Sequence, residues 1–332
     1  MGGFVFGIFC FLFSFFISIA ILFVCYRILK KLKAKQTIYE YVDMHKSKSG
    51  TPTMGGISFV LGSVFAVIFL LDGYVLPVYI CVGVMLLNCL VGVYDDMVKI
   101  KRHQNGGLKP WQKLLFQVFI FGVFGWVLVK LNLTSIIIPF AKKSINVGKW
   151  VVPLCIIIGL FFTNCTNLAD GLDGLECFIT IPSSVALGVI LLLISTSDKF
   201  DFIKNTNLLS NLGLLSIIFS GAIFSFIFYN SYPAKIFMGD TGSLAVGSLM
   251  VAIGFASGAI IYVLLFGILF VITGVSVILQ VAYYKLTKKR IFLMAPLHHH
   301  FEKKGYHENK IAIVYLMITT LFSLIVIALE FM

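Results

Sequence analysis

Charge is what this sequence has least of. Only 12% of its 332 residues are Asp, Glu, Lys or Arg, about half the share usual in soluble domains. With 59% hydrophobic residues and a mean hydropathy of +1.01, a soluble globular protein is excluded, because most of the surface must face a medium as apolar as itself. The seven Cys form no CxxC pair and share no metal spacing with His, so they read as small buried hydrophobes. The first apolar run, Phe4 to Tyr26, has no basic residue before it and no small-residue cleavage site after it, so it reads as a retained span rather than a cleaved signal. Position six lacks the Ser or Thr of a myristoylation signal. No internal repeat or low-complexity linker interrupts the chain, and one integral membrane domain spanning 1–332 is expected.

What the chain does have is long apolar runs. A spanning helix needs about 20 such residues, and ten segments qualify, at about 4–28, 54–72, 76–94, 112–130, 149–166, 175–195, 209–229, 241–260, 262–284 and 311–331. The runs are continuous rather than alternating, which favours helices over a barrel, and a helix satisfies its own backbone hydrogen bonds in lipid. The expected fold class is therefore all-α and polytopic, with about ten transmembrane helices. Of the 26 Lys and Arg residues, 20 follow spans 1, 3, 5, 7 and 9 and six lie on the other side. The positive-inside rule makes the richer side cytoplasmic and puts both termini outside. Much of the net charge of +12 is thus topology, and no nucleic-acid partner is called for. The external segment 131–150, with its β-branched residues and a Lys-Lys-Ser turn, fits a short hairpin on the membrane surface.

Four of the five cytoplasmic segments carry more than a bland loop would. Span 3 ends in Tyr94-Asp95-Asp96, and acidic residues at a helix C-terminus oppose the macrodipole. Adjacent side chains point about 100° apart, so one carboxylate can hold a cation while the other faces a reacting group. Span 5 ends in Asn167-Leu168-Ala169-Asp170-Gly171-Leu172-Asp173-Gly174, where Asn167, Asp170, Gly171 and Gly174 share one face if the turn stays helical. This run lacks the Glu and the alternating ligands of an EF-hand. Span 7 leads through Asn230 to Phe237-Met238-Gly239-Asp240-Thr241-Gly242-Ser243, a Gly-rich turn at a helix N-terminus, where free N–H groups suit phosphate.

The last cytoplasmic segment holds Pro296-Leu297-His298-His299-His300-Phe301-Glu302. Three successive His cannot all ligate one metal from a regular helix, so hydrogen bonding to an anionic substrate is preferred to a zinc site. The first segment supplies Lys48-Ser49-Gly50-Thr51-Pro52-Thr53-Met54-Gly55-Gly56, which is not a Walker loop. Carboxylates from three separated loops, lysines, a His run and glycine turns on one membrane face point to a cation-dependent site for a phosphorylated substrate. Carboxylates without nearby Cys suit a hard cation such as Mg²⁺, and Lys and His neutralise the phosphates. A site at the membrane edge implies one soluble and one lipid substrate.

These five ordered strings closely resemble the phospho-N-acetylmuramoyl-pentapeptide transferases, over nearly the whole chain. The resemblance implies a bacterial inner-membrane enzyme acting on its cytoplasmic face, with Mg²⁺ as cofactor and the possibility of a homodimer. It implies transfer of phospho-MurNAc-pentapeptide from UDP-MurNAc-pentapeptide to undecaprenyl phosphate, giving lipid I and UMP. Carried onto this chain, it implies that Asp240 holds the metal, that Asp95, with Asp96 beside it, deprotonates or positions the lipid phosphate, and that Lys99 and Lys113 face phosphate. Lys48, Thr53, Asn167, Asp170, Asp173, Asn230 and Phe237 resemble the nucleotide-sugar pocket, with Phe237 stacking on uracil. His298 and His299 resemble the substrate-contacting part of the His run, and His300 joins the substrate-binding set. A carboxylate nucleophile or direct attack by the lipid phosphate both remain open. Two alternatives stand beside this reading. A polyprenyl-phosphate GlcNAc-1-phosphate transferase would lack the PLHHHFE string. A membrane transporter would carry ionisable residues in mid-span, and none is found there.

Overall fold

The computed structural model describes residues 2–31, 50–71, 76–102, 106–200 and 205–332. Lys48 and Ser49 lie outside the described residues. The apolar runs fold as helices. In chain order they are α1 (Gly2–Lys31), α2 (Gly56–Leu70), α3 (Leu76–Arg102), α4 (Pro110–Lys130), α5 (Val151–Ala169), α6 (Leu175–Ser195) and α7 (Thr206–Asn230). There follow α8 (Gly239–Ser257), α9 (Ile260–Phe266), α10 (Ile268–Thr287), α11 (Leu297–Lys303) and α12 (Glu308–Phe331). Among the described residues nine of these are long and apolar enough to cross a membrane. The remaining expected span is α2, whose 15 residues reach about 22 Å at 1.5 Å each. The chain is a multi-pass, all-α membrane protein.

Three elements differ in detail from the sequence expectation. Helix α3 continues to Arg102, so Asp95, Asp96 and Lys99 lie inside it. The run expected at 262–284 is broken at Gly267 into α9 and α10; a side chain at Gly267 would come within 2.6 Å of the Phe162 ring, so glycine there lets α5 approach. The turn after α5 does not stay helical. Asp170 leaves the helix with φ −75° and ψ 47°, and Gly174 turns left-handed at φ +75°.

Segment 131–150 does contain a hairpin, with β1 (Ser135–Ile138) antiparallel to β2 (Lys143–Asn146). It is tied to the helices by the Ile137 N–H, which donates to the Gly258 carbonyl at 2.8 Å. The Phe140 N–H donates to the Glu330 carboxylate near the end of α12 at 2.7 Å.

Helix α8 is the central post. All of its residues except Asp240 are buried, and Gly, Ala and Ser along it let neighbouring helices approach closely. A methyl group added at Gly247 would lie 2.6 Å from the Thr163 Cα of α5, and one at Gly92 of α3 would lie 2.2 Å from the Asp240 carbonyl oxygen. Outer helices such as α1 and α4 instead present Phe6, Phe9, Phe16, Phe116 and Phe119 outward, the pattern of a lipid-facing surface.

Candidate functional site

The close crossing of α3 and α8 brings two acidic segments together. Asp95 and Asp96, near the end of α3, meet Asp240 in the first turn of α8, and one oxygen from each lies within 4.8 Å of the others. Lys99, one turn further along α3, ties all three together. Its Nζ is 2.7 Å from Asp95 Oδ2, 3.4 Å from Asp96 Oδ1 and 3.2 Å from Asp240 Oδ1. Lys113, from the first turn of α4, reaches Asp240 Oδ2 at 2.5 Å. The Asn167 amide of α5 donates to Asp240 Oδ1 at 2.9 Å and to Ser243 Oγ at 2.7 Å. Five residues from three helices thus converge on or beside the Asp240 carboxylate of a fourth.

Asp96 and Asp95 have distinct surroundings. The Asp96 carboxylate accepts the Thr241 N–H at 3.0 Å, the Thr241 hydroxyl at 2.8 Å and the Asp240 N–H at 3.3 Å. It thereby caps α8. The Gly-rich turn was expected to leave free N–H groups for phosphate, but Asp96 has taken those of residues 240 and 241. Asp95 Oδ1 accepts the Leu108 N–H at 2.8 Å, which draws the 106–109 segment over the cluster. Gly107 is needed there, since a methyl would fall 2.4 Å from that oxygen.

The segment Thr51–Gly56 closes another side. The Phe237 N–H donates to the Pro52 carbonyl at 2.8 Å and the Gly55 N–H to the Phe237 carbonyl at 2.9 Å. Gly239 has φ +74° and sits against the Thr53 hydroxyl and Asp96, where any Cβ would collide. Phe237 stays half-buried. Asn230 and Asp173 hold the 231–237 loop. The Asn230 amide donates to the Ile236 carbonyl at 3.0 Å, and Asp173 Oδ2 accepts the Ala234 N–H at 2.9 Å.

The His run folds as α11, which packs on the turn after α5. A methyl at Gly171 would lie 2.5 Å from His298 Nε2 and 3.0 Å from His299 Nε2, so both rings face that turn. His299 Nδ1 is 2.8 Å from Glu302 Oε2, and His300 Nδ1 accepts the Leu293 N–H at 3.1 Å. Among the described residues no His joins a three-donor metal cluster. Burial holds the His298 imidazole well below its usual range, with His299 adding to the effect and Glu302 opposing it. Burial pushes the Asp170 carboxyl well above the usual carboxylate range, Asp240 and Asp96 push the same way, and the Gly239 N–H opposes them.

Sequence reasoning missed several participants. Gln117 of α4 accepts the Asn164 amide of α5 at 3.0 Å, Ser243 braces Asn167, and Glu302 orients His299. Ser243 and Glu302 lay within strings already singled out, and Asn164 stands three residues before Asn167; Gln117 offered no motif. Gly92 was equally silent, because its role appears only once α8 lies against it.

The arrangement can hold a hard cation. Its donor set is all carboxylate oxygen, suited to a Mg²⁺-like ion, and the Lys99 ammonium already shows that positive charge is accommodated among Asp95, Asp96 and Asp240.

The chain is similar to known proteins over most of its length. Residues 78–258 match the family model described as glycosyl transferase family 4, and residues 48–60 match the phospho-N-acetylmuramoyl-pentapeptide-transferase signature 1. The phospho-N-acetylmuramoyl-pentapeptide-transferase of Clostridium perfringens (strain SM101 / Type A) is 38% identical over 306 residues, covering 91% of this chain and 90% of the relative. That of Campylobacter lari is 39% identical over 302 residues, covering 88% and 85%. That of Campylobacter jejuni (strain RM1221) is 37% identical over 331 residues, covering 95% and 93%. The chain belongs to glycosyl transferase family 4, and within it to the phospho-N-acetylmuramoyl-pentapeptide-transferases.

Proposed function

We propose that this chain transfers phospho-MurNAc-pentapeptide from UDP-MurNAc-pentapeptide to undecaprenyl phosphate, yielding lipid I and UMP, the first membrane step of peptidoglycan synthesis. The observation that carries this reading is the meeting of Asp95, Asp96 and Asp240 with Lys99 and Lys113 at one end of a membrane bundle. In the reaction a phosphate oxygen of the acceptor attacks the sugar-bound phosphorus, and the pyrophosphate bond to the UMP phosphate breaks. Mg²⁺, held by Asp240 with Asp95 and Asp96 beside it, would neutralise the phosphate oxygens of the donor. Lys113 and Lys99 bring two further cations to the same place, and their contacts with Asp240 hold them there before substrate arrives.

Asp95 orients the acceptor phosphate, with Lys99 as its partner. Both of its oxygens are engaged, by the Leu108 N–H and by Lys99, which favours direct attack over a covalent carboxyl-phosphate. On this reading Phe237 offers a face to uracil, while Thr53, Asp170 and the Nε2 edges of His298 and His299 line the sugar-phosphate path. Lys48 belongs to the same pocket by motif. His300, Asn230 and Asp173 act by holding the surrounding loops. The whole chain works as one membrane domain, with the site on the cytoplasmic face and both termini outside, following the excess of Lys and Arg at that end. A homodimer is part of the same reading, to be checked by the mass of the purified particle.

The test uses a fluorescent UDP-MurNAc-pentapeptide and undecaprenyl phosphate with the purified protein. Fluorescence should pass into the lipid-extractable fraction only when both substrates are present, and UMP should be absent without acceptor. Lipid-soluble product made equally well by Asp240→Asn would reject the site. UMP formed without acceptor would reject direct attack.

A further inference from the structure

A groove of about 440 Å³ opens between α1 and α3 under the head of α2. Its walls are Ile28 and Leu29 of α1, Met54 and Ile57 at the start of α2, and Met97 and Ile100 of α3. Ile28 is 50% and Met97 43% exposed, so the groove is accessible from the outer surface of the bundle at these two walls. Met54 forms its buried floor despite a φ of +69°, a conformation that L side chains rarely adopt.

Among the described lining residues Lys101 is the one that carries charge. The same end of the two flanking helices is cationic. Helix α1 closes with Lys30 and Lys31 and α3 with Lys101 and Arg102. Among the described residues none of these four meets a carboxylate. Topology accounts for positive charge at these helix ends; it does not account for a sizeable apolar groove beneath them.

The groove is separate from the carboxylate site. Met97 and Lys101 are each two residues from Lys99, about 200° around α3, and Lys99 points into the three carboxylates. A lipid lying in this groove therefore has its head on the far side of α3 from the reacting groups. That geometry argues against the acceptor substrate and for a lipid of the surrounding leaflet. Basic pockets between helices at the cytoplasmic surface are a recognised setting for anionic head groups.

We propose that this groove binds an anionic phospholipid of the cytoplasmic leaflet, one acyl chain lying between α1 and α3 and the head-group phosphate at Lys101. The inference rests on the proposed cytoplasmic placement of this end and not on the reaction.

The test is native mass spectrometry of the full-length protein in neutral detergent, titrated with phosphatidylglycerol, phosphatidylcholine or undecaprenyl phosphate. Phosphatidylglycerol should be retained at least about ten-fold more strongly than phosphatidylcholine. Ile28→Trp, which fills the groove from an exposed position, and Lys101→Gln should each reduce that retention to the phosphatidylcholine level. Both variants should release UMP at the wild-type rate in neutral detergent, which also shows that they fold. Unchanged retention in both variants, equal retention of the two phospholipids, or one-for-one displacement by undecaprenyl phosphate would each overturn the proposal. Absence of UMP release from the wild type with lipid retention intact would reject the proposed function and leave the groove assignment standing.

Discussion

Replacing Gly92 by Ala should separate the two helices that make the site. Gly92 lies on α3 where α8 crosses it, and a methyl there would come 2.2 Å from the Asp240 carbonyl oxygen and 2.5 Å from the Thr241 nitrogen. Both are backbone atoms of a fully packed helix, so neither can rotate aside. Ordinary contact begins at 3.4 Å, so the helices must part or slide by about 1.2 Å to admit the methyl. Overpacking of this kind costs about 1–3 kcal/mol of stability. A misplacement of about 1 Å between reacting groups costs about 10²-fold in rate. Because Asp95, Asp96 and Lys99 ride on α3 while Asp240 rides on α8, the shift falls directly on their mutual distances. The assay is UMP release together with thermal unfolding in detergent. Gly83→Ala is the control, since a methyl there meets nothing within 4 Å on the same helix; it should be neutral, or more stable by up to about 1 kcal/mol. Gly92→Ala with a rate within two-fold of wild type would refute the claim that this crossing sets the site.

Three further outcomes follow from the same geometry. Asp240→Asn should lower turnover by about 10²–10³-fold or more while the protein remains folded, because it removes the charge that meets Lys99 and Lys113; near-wild-type UMP release would contradict this. Gly171→Ala should displace α11, since its methyl would lie 2.5 Å from the buried His298 Nε2, and should raise the donor KM; an unchanged KM would detach the His run from the site. His298, held neutral by burial, has a folded pKa below its ordinary 6.5. The unfolded chain then binds more protons below that pH, so stability is full above about 6.5 and is lost as pH falls. Thermal unfolding between pH 7 and 5 should show this loss in the wild type and a smaller one in His298→Gln.

Much of this was legible in the sequence, for physical reasons. A span in lipid must be a long uninterrupted apolar run, so α5, α6 and α7 could be bounded closely. The carboxylates stood out because Asp95, Asp96 and Asp240 are scarce charges at the ends of apolar runs. Backbone geometry was not legible. The close approach of the Phe162 ring to Gly267 comes from another helix, and the left-handed Gly174 cannot be told from a continuing helix by spacing. The capping of α8 by Asp96 could not be foreseen either, because it needs the α3–α8 crossing that Gly92 permits. The hydrogen bonds by which Asn230 and Asp173 support the 231–237 loop were equally out of reach, because they depend on the folded path of that loop.

The measurement that tests the central claim most directly is UMP release by the purified protein with undecaprenyl phosphate, comparing UDP-MurNAc-pentapeptide with UDP-GlcNAc, each with and without Mg²⁺. Release from the muramoyl donor alone, and only with Mg²⁺, is the predicted result. Release from UDP-GlcNAc instead, or none from either donor in folded protein, would contradict the account.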